Sequence, residues 1–408
     1  MSNWLVAAEQ RAVRLLSSVP VVHDAAALAY QAAFSLLAPR MASESVAEVR
    51  RAVHCFFGFH DKCPWDASMH RILCQRERGA PDFRRAPAIE IGVLDAESLR
   101  FEAIGRTRTW NWQQGAMVQW VGKSGIAYND DESGSAVTRL LVGDRHVTLA
   151  GHTCSASPDG QSLLGYSFAR LVRVAPEYGY WLYAARAASE CAAPQDDGLF
   201  LTDIVTGDRT LLRSLADLAS EVRVTGAFHY VTHATLSPSG TCLAFFHRWR
   251  RDGGRLGTRL VIGRRDGSEW HVAPIASPSH YCWDGDTGLI VTDSDWGGAC
   301  YQHWTIGDPE ARSLSAAAPT VDGHPQVNPA DARFVLSDTY PDRRRQQSLL
   351  LLDRELGEST VLCREQIGLG FRRGRRCDYH PRWRQDGRAV CFDTAGTGTR
   401  CLAVISLE

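Results

Sequence analysis

Lysine is almost absent from this chain of 408 residues: it occurs at Lys62 and Lys123, and arginine supplies nearly all of the positive charge. An excess of one sign of charge is also lacking, since 45 Lys and Arg face 46 Asp and Glu, a formal net charge of −1. Such a balance gives no reason to expect a nucleic-acid partner. No apolar run reaches the length of a transmembrane helix.

Motifs of several common enzyme classes are missing. The sequence contains no Gly-rich phosphate loop, no H-E-x-x-H zinc motif and no G-x-S-x-G nucleophile turn. Its twelve cysteines show no C-x-x-C spacing, and several lie in apolar runs, so we expect buried free thiols. The first 24 residues lack a basic region followed by an unbroken apolar run, which predicts a cytoplasmic protein without an export signal.

The N-terminal part of the chain is predicted to be helical over residues 3–50. Apolar residues recur at helical spacing from Trp4 to Leu16, Pro20 ends that run, and an alanine-rich run follows at Ala25–Ala38. Such helices would pack on the rest of the protein or on a second subunit in a homo-oligomer. The alternative is an amphipathic anchor on a membrane surface, although few basic residues flank the run.

A repeat fills the rest of the chain. An apolar anchor is followed by a turn and an apolar strand, and this unit occurs seven times, with anchors at Trp65, Trp120, Ala156, Leu236, Trp283, Val327 and Trp383. Most intervals suit four short strands, the content of one propeller blade. The longest interval, between Ala156 and Leu236, is expected to hold a loop at Ala184–Asp197.

These patterns predict an all-β fold, a seven-bladed β-propeller at 51–408 with a short N-terminal helical segment at 1–50. The stretches 91–104, 199–212 and 349–362 are typical of two outer strands joined by a hairpin. A strand from Ala52 to Phe57 is expected to complete the last blade, because such a closure leaves no exposed sheet edge.

Four histidines occupy one position of the repeat, three residues before the anchor: His233, His280, His324 and His380. Equivalent positions at the start of inner strands surround the central channel, so these side chains are expected to converge. Gln326 follows His324 by two residues and would face the same side of its strand. Converging imidazoles and an amide oxygen suit a divalent transition metal such as Mn²⁺, Zn²⁺ or Ni²⁺. The alternative is that each histidine only bonds a turn, the role expected for His152.

Further candidates flank this ring. Arg373 and Arg376 belong to a basic stretch before His380 that would attract an anionic sugar, although a solvated basic loop has the same composition. Trp112 and Gln114 offer an aromatic face and an amide to a pyranose ring, or they pack between blades. His60 and Lys62 are candidates for substrate binding, and Lys62 and Tyr379 are candidate proton donors.

The repeats resemble the TolB-type propeller pattern, and the chain is similar to the oligogalacturonate lyase group of seven-bladed polysaccharide lyases. The resemblance is carried by GFHDKCPWD (58–66), WNWQQG (110–115), THATLSPSG (232–240), DGHPQVNP (322–329), SDTYPD (337–342) and RCDYHPRW (376–383). The chain departs from that group in two respects. Lyases of the group that degrade external polysaccharide are often exported, whereas a cytoplasmic protein is expected here, and the turns of blades 5 and 6 are degraded.

The resemblance implies metal-assisted β-elimination on an anionic, uronate-containing oligosaccharide. The metal ligands would be His280, His324, Gln326 and His380. His233 would be the base. Independently of the resemblance, Arg376 is a candidate for neutralising the substrate carboxylate, and Tyr379 completes the candidate catalytic residues as a proton donor.

Two other classes of function stay open. One is a non-catalytic propeller that binds sugar or protein, since a fold alone does not imply chemistry. The other is a different sugar-transforming enzyme, for glycosyl transfer or hydrolysis, in polysaccharide biosynthesis. Hydrolysis normally needs a pair of carboxylates, and no spacing in the sequence identifies one.

Overall fold

Seven antiparallel sheets form the blades of a seven-bladed β-propeller in the computed structural model, which describes residues 28–33, 43–79, 82–187, 191–251, 254, 256–295 and 298–407. Innermost strands of neighbouring blades contact one another at three of the junctions between blades. The predicted fold class is therefore confirmed.

The blades are numbered in chain order, and the strands of each blade are given from the innermost outward. Blades 1 to 3 contain Cys55–Phe56, Arg71–Arg76, Ile89–Asp95 and Phe101–Thr107; Gln119–Val121, Gly125–Glu132, Ser135–Val142 and Arg145–Ala150; and Ser155–Ala156, Ser162–Gly165, Gly198–Asp203 and Arg209–Ser214. Blades 4 and 5 contain Phe228–Leu236, Cys242–Arg250, Leu256–Arg264 and His271–Val272; and Pro278–Asp284, Gly288–Asp295, Gly298–Thr305 and Arg312–Ser313. Blades 6 and 7 contain Gln326–Val327, Phe334–Asp338, Gln346–Asp353, Glu358–Gln366 and Glu44–Ser45; and Arg382–Trp383, Ala389–Thr394, Cys401–Ser406 and Val49–Val53.

The repeat anchors lie where the sequence predicts them. Six of the seven fall within innermost strands, and Trp65 forms a bridge with Ile72 of the second strand of blade 1. The three predicted hairpins are confirmed. Each consists of the third and fourth strands of its blade, in blades 1, 3 and 6. Seven copies of one short pattern thus specify seven inner strands.

Closure of the ring uses a strand from the beginning of the propeller, as predicted, but with different bounds. Val49–Val53 pairs antiparallel with Cys401–Ser406, placing Ala52 opposite Leu402. The predicted strand ran from Ala52 to Phe57, whereas Cys55–Phe56 already belongs to blade 1. Because Glu44–Ser45 also pairs with blade 6, the propeller begins before the predicted boundary at residue 51.

Within the described ranges, three α-helices lie between strands: Phe168–Val174, Ala184–Ala187 and Leu215–Val222. The first two belong to an insertion between the second and third strands of blade 3, which is longer than the loop predicted at Ala184–Asp197. Ser167 caps the first helix, since its hydroxyl accepts from the Arg170 amide. The third helix has the same kind of cap at Ser214.

The core lies between the blades. Three consecutive residues of the second strand are fully buried in blade 1 (Ile72, Leu73 and Cys74) and again in blade 5 (Leu289, Ile290 and Val291). Neighbouring side chains on a strand point to opposite faces, so consecutive burial means that both faces of the blade are covered. Each fully buried aliphatic side chain stabilises the fold by about 1.5–3 kcal/mol.

Most of the segment predicted to be helical, residues 3–50, lies outside the described residues. Of its described part, 28–33 is helical, whereas Glu44–Ser45 and the start of Val49–Val53 are strands, because they pair with blades 6 and 7. No helix in the described part of the chain is long and apolar enough to cross a membrane. All twelve cysteines are described and are free thiols. Eight are buried, as expected, whereas Cys63 and Cys242 are half-buried and Cys191 and Cys300 are exposed.

Candidate active site

Five histidines converge at one end of the central channel: His60, His233, His280, His324 and His380. We call them the histidine cluster. All are at most 4% exposed. The ring centroid of His324 lies 4.1 Å from that of His280, 4.3 Å from that of His380 and 5.0 Å from that of His60. The four histidines predicted from the repeat therefore do meet, and His60, predicted to bind substrate, joins them.

Local backbone irregularities occur at three of these histidines. The pairing of the first two strands of blade 4 shifts between Thr232 and Thr235, and that of blade 5 shifts between Pro278 and His280. A bulge of this kind bends a strand and redirects a side chain. His233 has a φ of 57° and His380 a φ of 45°. Non-glycine residues rarely adopt this left-handed conformation, and it is concentrated at functional sites.

Three imidazoles are oriented by hydrogen bonds at Nδ1. His324 Nδ1 lies 2.8 Å from Asp338 Oδ1, His280 Nδ1 lies 3.1 Å from Asp322 Oδ1, and His380 Nδ1 donates to the carbonyl oxygen of Gly58 at 2.7 Å. An Nδ1 that donates leaves Nε2 of the neutral ring with a free lone pair, the arrangement found for histidines that bind metals.

The Nε2 atoms of His324 and His380 are buried and have no hydrogen-bond partner among the described residues. Asp378 Oδ1 is likewise buried and unpaired there. The ligand atoms of these three residues lie within 4.8 Å of one another. Buried polar atoms are rarely left unpaired in native proteins. The donor set of two imidazoles and a carboxylate therefore fits a divalent transition metal.

Gly58 holds part of this arrangement together. Its carbonyl oxygen accepts from His380 Nδ1 and from Arg382 Nη1, and its N–H donates to Asp393 Oδ2. Its φ is 111°, and a Cβ at this position would lie 2.7 Å from the carbonyl carbon of Gln114. Only glycine satisfies both conditions.

Burial and nearby charges shift the pKa values of these histidines in different directions. Burial lowers the pKa of His60, His233 and His380 well below the ordinary value. Burial is the largest single influence on His324 and acts in the same direction, but the charge and hydrogen bond of Asp338 together with the charges of Asp378 and Asp322 raise the pKa of His324 overall. At neutral pH the first three imidazoles are therefore neutral and can accept a proton or a metal.

Gln326 reaches the cluster through His60, because its Nε2 lies 3.0 Å from His60 Nδ1. The ring of Phe59 lies below the histidines, 4.7 Å from His233 and 5.1 Å from His380 between centroids. Lys62 pairs with Asp61 at 2.5 Å and contacts Met117 Sδ at 3.8 Å, so its charge is neutralised locally.

Arg376 and two tyrosines form the rim of the site. Arg376 Nε donates to Asp378 Oδ2 at 2.7 Å, and its guanidinium lies 5.0 Å from the ring centroid of Tyr340. The Tyr340 hydroxyl is 3.4 Å from His280 Nε2. Tyr178, from the blade 3 insertion, packs against His233 with 5.3 Å between ring centroids. Sequence reasoning identified Arg376 but missed both tyrosines.

Three residues predicted to belong to the site lie away from the histidine cluster. Tyr379 is fully buried in the core, where its hydroxyl donates to the Gln347 carbonyl and to Glu365. Trp112 packs on Phe56, with 5.2 Å between ring centroids. Arg373 is exposed in the turn Arg373–Arg375. Gln114 adjoins Gly58 through its backbone, and its amide atoms are buried without a partner in the described part of the chain.

Other charged residues complete the site. Asp322 and Asp338 orient two imidazoles, and Arg248 lies close enough for its charge to add to burial in lowering the pKa of His233. Arg248 Nη2 donates to the carbonyl oxygen of Ser279 at 3.3 Å, which holds the guanidinium in place. Arg248 and Asp338 carry no signal in the repeat, because they lie at the ends of second strands.

His152 is separate from the cluster and has structural partners. Its Nε2 lies 3.2 Å from the Asp130 carbonyl oxygen, and its ring packs 5.1 Å from that of Tyr180 and 5.4 Å from that of Tyr183. Burial lowers its pKa to about 3. The folded protein thus holds His152 neutral at a pH where the unfolded chain would protonate it.

This difference predicts a loss of stability in acid. The unfolded chain binds the proton near pH 6.5 and the folded protein only near pH 3, so the free energy of unfolding falls as pH drops between them, by about 1.4 kcal/mol per unit. Urea unfolding at pH 7 and pH 5 should show a decrease about 2 kcal/mol smaller in His152→Gln than in the wild type. The exposed His146→Gln should behave as the wild type does. Equal pH dependence in all three proteins would contradict the prediction.

Comparison with known proteins gives structural matches only. No protein-family model matches the sequence, and no curated protein sequence matches it. An oligogalacturonate lyase in complex with manganese is similar to this chain with a TM-score of 0.63 and 15% identity, covering 91% of this chain and 97% of that one. The oligogalacturonate lyase of Vibrio parahaemolyticus gives 0.60 and 13%, covering 91% and 98%.

TolB from Acinetobacter baumannii matches with a TM-score of 0.42 and 11% identity over 79% of this chain and 77% of that one. The expected resemblance to the oligogalacturonate lyases is thus confirmed for the architecture. At these identities the likeness concerns the fold alone: the chain shares the seven-bladed propeller of the oligogalacturonate lyases.

Proposed function

We propose that this protein is a lyase that performs metal-assisted β-elimination on a uronate-containing oligosaccharide. The observation that supports it best is the histidine cluster, in which Nδ1 of three imidazoles is bonded and Nε2 of His324 and His380 is buried without a partner among the described residues. A purely structural ring of histidines would use both nitrogens. The similarity in fold to oligogalacturonate lyases agrees with this proposal.

The residues that would hold the metal are His280, His324 and His380, with Asp378 as a further donor and Gln326 as the amide ligand that the resemblance implies. Mn²⁺, Zn²⁺ and Ni²⁺ all suit such a set, and one of the similar lyase structures is a manganese complex. When bound, the metal would act as a Lewis acid on the uronate carboxylate and make the C5 proton more acidic.

The chain's own groups would carry out the remaining steps. Arg376 and Arg248 border the cluster with positive charge and would bind the carboxylate. His233 Nε2, neutral and unpaired in the described structure, would accept the C5 proton. The electrons of the C5–H bond form the C4–C5 double bond, and the C4–O bond breaks.

The departing oxygen requires a proton. Burial raises the pKa of Tyr178 and of Tyr340, so both hydroxyls are protonated at neutral pH. These rim tyrosines would take the role that the sequence assigns to Tyr379, whose hydroxyl bonds inside the core.

Metal analysis of the purified protein tests the centre directly. We expect about one equivalent of a transition metal per chain, and its loss in the double variant His324→Ala/His380→Ala, because two imidazole ligands disappear. His152→Ala removes a buried histidine outside the cluster and should retain the metal. The readout is the metal content itself, independent of any substrate.

Activity forms the second arm of this test. Elimination produces an unsaturated uronate whose conjugated double bond absorbs in the ultraviolet, so incubation with oligogalacturonate should raise the absorbance. A protein that binds no metal and yields no such product would contradict the proposal. If that protein still bound the sugar, the non-catalytic alternative would replace it.

A further inference from the structure

A cavity of about 220 Å³ opens beside the histidine cluster, between blades 1 and 7. It is lined by the loops at the same end of the channel, chiefly by His54, Glu77, Trp112, Phe371, Arg375 and Arg400. We call it the outer cavity. Ligand pockets for drug-sized molecules span about 300–1,000 Å³, so this volume suits a smaller molecule such as one sugar ring.

Three polar atoms of the lining residues are buried without a hydrogen-bond partner in the described part of the chain: Glu77 Oε2, Trp112 Nε1 and Arg400 Nε. The three residues are at most 8% exposed. Buried polar groups are rarely left unpaired in native proteins. The wall of the outer cavity therefore contains three side chains with polar groups whose partners the described residues do not supply.

The charges of the lining indicate the chemistry of that ligand. Arg375 is exposed and Arg400 is buried, and the guanidinium of Arg400 lies 4.2 Å from the ring centroid of Trp112. Glu77 Oε1 is 3.3 Å from His54 Nδ1. Two guanidinium groups favour a carboxylate, and an acidic side chain between polar groups accepts from hydroxyls. A sugar acid carries both kinds of group on one ring.

Arg376 forms the partition between this cavity and the histidine cluster. Its carbonyl oxygen accepts from Arg400 Nη2 at 2.8 Å and from Gln113 Nε2 at 3.0 Å. Its side chain extends the other way, to Asp378 beside His380. The outer cavity and the cluster are therefore adjacent but lined by different side chains.

We propose that the outer cavity is a second saccharide site that binds a single uronate ring, with its carboxylate on Arg375 and Arg400 and its hydroxyls on Glu77. This site goes beyond the proposed lyase, since it requires neither the metal nor His233. Binding here and elimination at the cluster can therefore fail independently.

Titration calorimetry with D-galacturonate, on full-length protein treated with a chelator, tests the site. We expect the Kd to rise about tenfold or more in Arg375→Ala and in Glu77→Gln, because each loses a charge-assisted bond to the ligand. Arg375 is exposed, so its variant should fold normally even if Glu77→Gln does not. Arg388→Ala removes the same charge from the opposite end of blade 7 and should leave the Kd unchanged.

Two further measurements distinguish binding in the outer cavity from binding at the histidine cluster and from binding of any neutral sugar. D-Galactose lacks the carboxylate and should bind at least about tenfold more weakly than galacturonate. His280→Ala should leave the galacturonate Kd unchanged, because it alters only the cluster. The proposal is overturned if galacturonate does not bind, if both cavity variants bind it as the wild type does, or if only His280→Ala weakens it.

Discussion

His233→Ala should lower kcat for uronate elimination by about 10²–10⁴-fold, the contribution typical of a positioned general base. The reason is the state of this imidazole: burial, aided by the charge of Arg248, lowers its pKa, so it is neutral and ready to accept a proton. Its Nδ1 lies 2.8 Å from the Thr232 hydroxyl, which orients the ring. The measurement is the rate of ultraviolet absorbance increase with oligogalacturonate at saturation.

Metal content separates this role from a structural one. The proposal assigns the proton to His233 and the metal to other residues, three of which, His324, Asp378 and His380, have ligand atoms within 4.8 Å of one another. The variant should therefore keep its metal while losing turnover. His271→Ala, an exposed histidine on the outer strand of the same blade, is the matched control and should retain full activity. Wild-type turnover in His233→Ala would assign the base to another residue.

Asp393→Ala should destabilise the fold by about 3–5 kcal/mol, the typical cost of leaving one partner of a buried ion pair without the other. Asp393 Oδ1 accepts from Arg382 Nη2 at 3.0 Å and from the Phe57 amide at 3.0 Å, and both charged side chains are at most 1% exposed. Urea unfolding at pH 7 measures the difference in free energy of unfolding.

The control is a pair in the same blade that remains in contact with water. Arg384 and Asp386 are 2.8 Å apart, with side chains more than a quarter exposed. Exposed pairs contribute about 0–1 kcal/mol, so Asp386→Ala should cost far less. If the two variants lose equal stability, the buried pair at Asp393 is no stronger than a surface pair.

The repeat explains why so much of the fold could be predicted. A short pattern of anchor, turn and apolar strand is local, and each copy specifies an inner strand without reference to its neighbours. His233, His280, His324 and His380 inherit their convergence from that register. His60 has no such position, because it lies five residues before Trp65 in a stretch between two parts of the inner strand of blade 1.

The residues that sequence reasoning misplaced or missed depend on orientation and on contacts between blades. Tyr379 directly precedes His380, whose left-handed φ of 45° lies outside any regular strand, and the two side chains point to different sides: Tyr379 reaches the core and His380 the channel. Tyr178 belongs to an insertion that the sequence presents only as a long interval. Asp322 and Asp338 become imidazole partners only once loops of adjacent strands meet.

The closure of blade 7 has a consequence for synthesis of the chain. Val49–Val53 leaves the ribosome about 350 residues before its partner Cys401–Ser406. The backbone N–H and C=O groups on that side of the strand therefore remain unpaired while six blades are made. Open strand edges of this kind invite pairing with other chains. The growing chain therefore stays open to such pairing until Cys401–Ser406 has been made, and a chaperone that shields this edge until then would protect the whole ring.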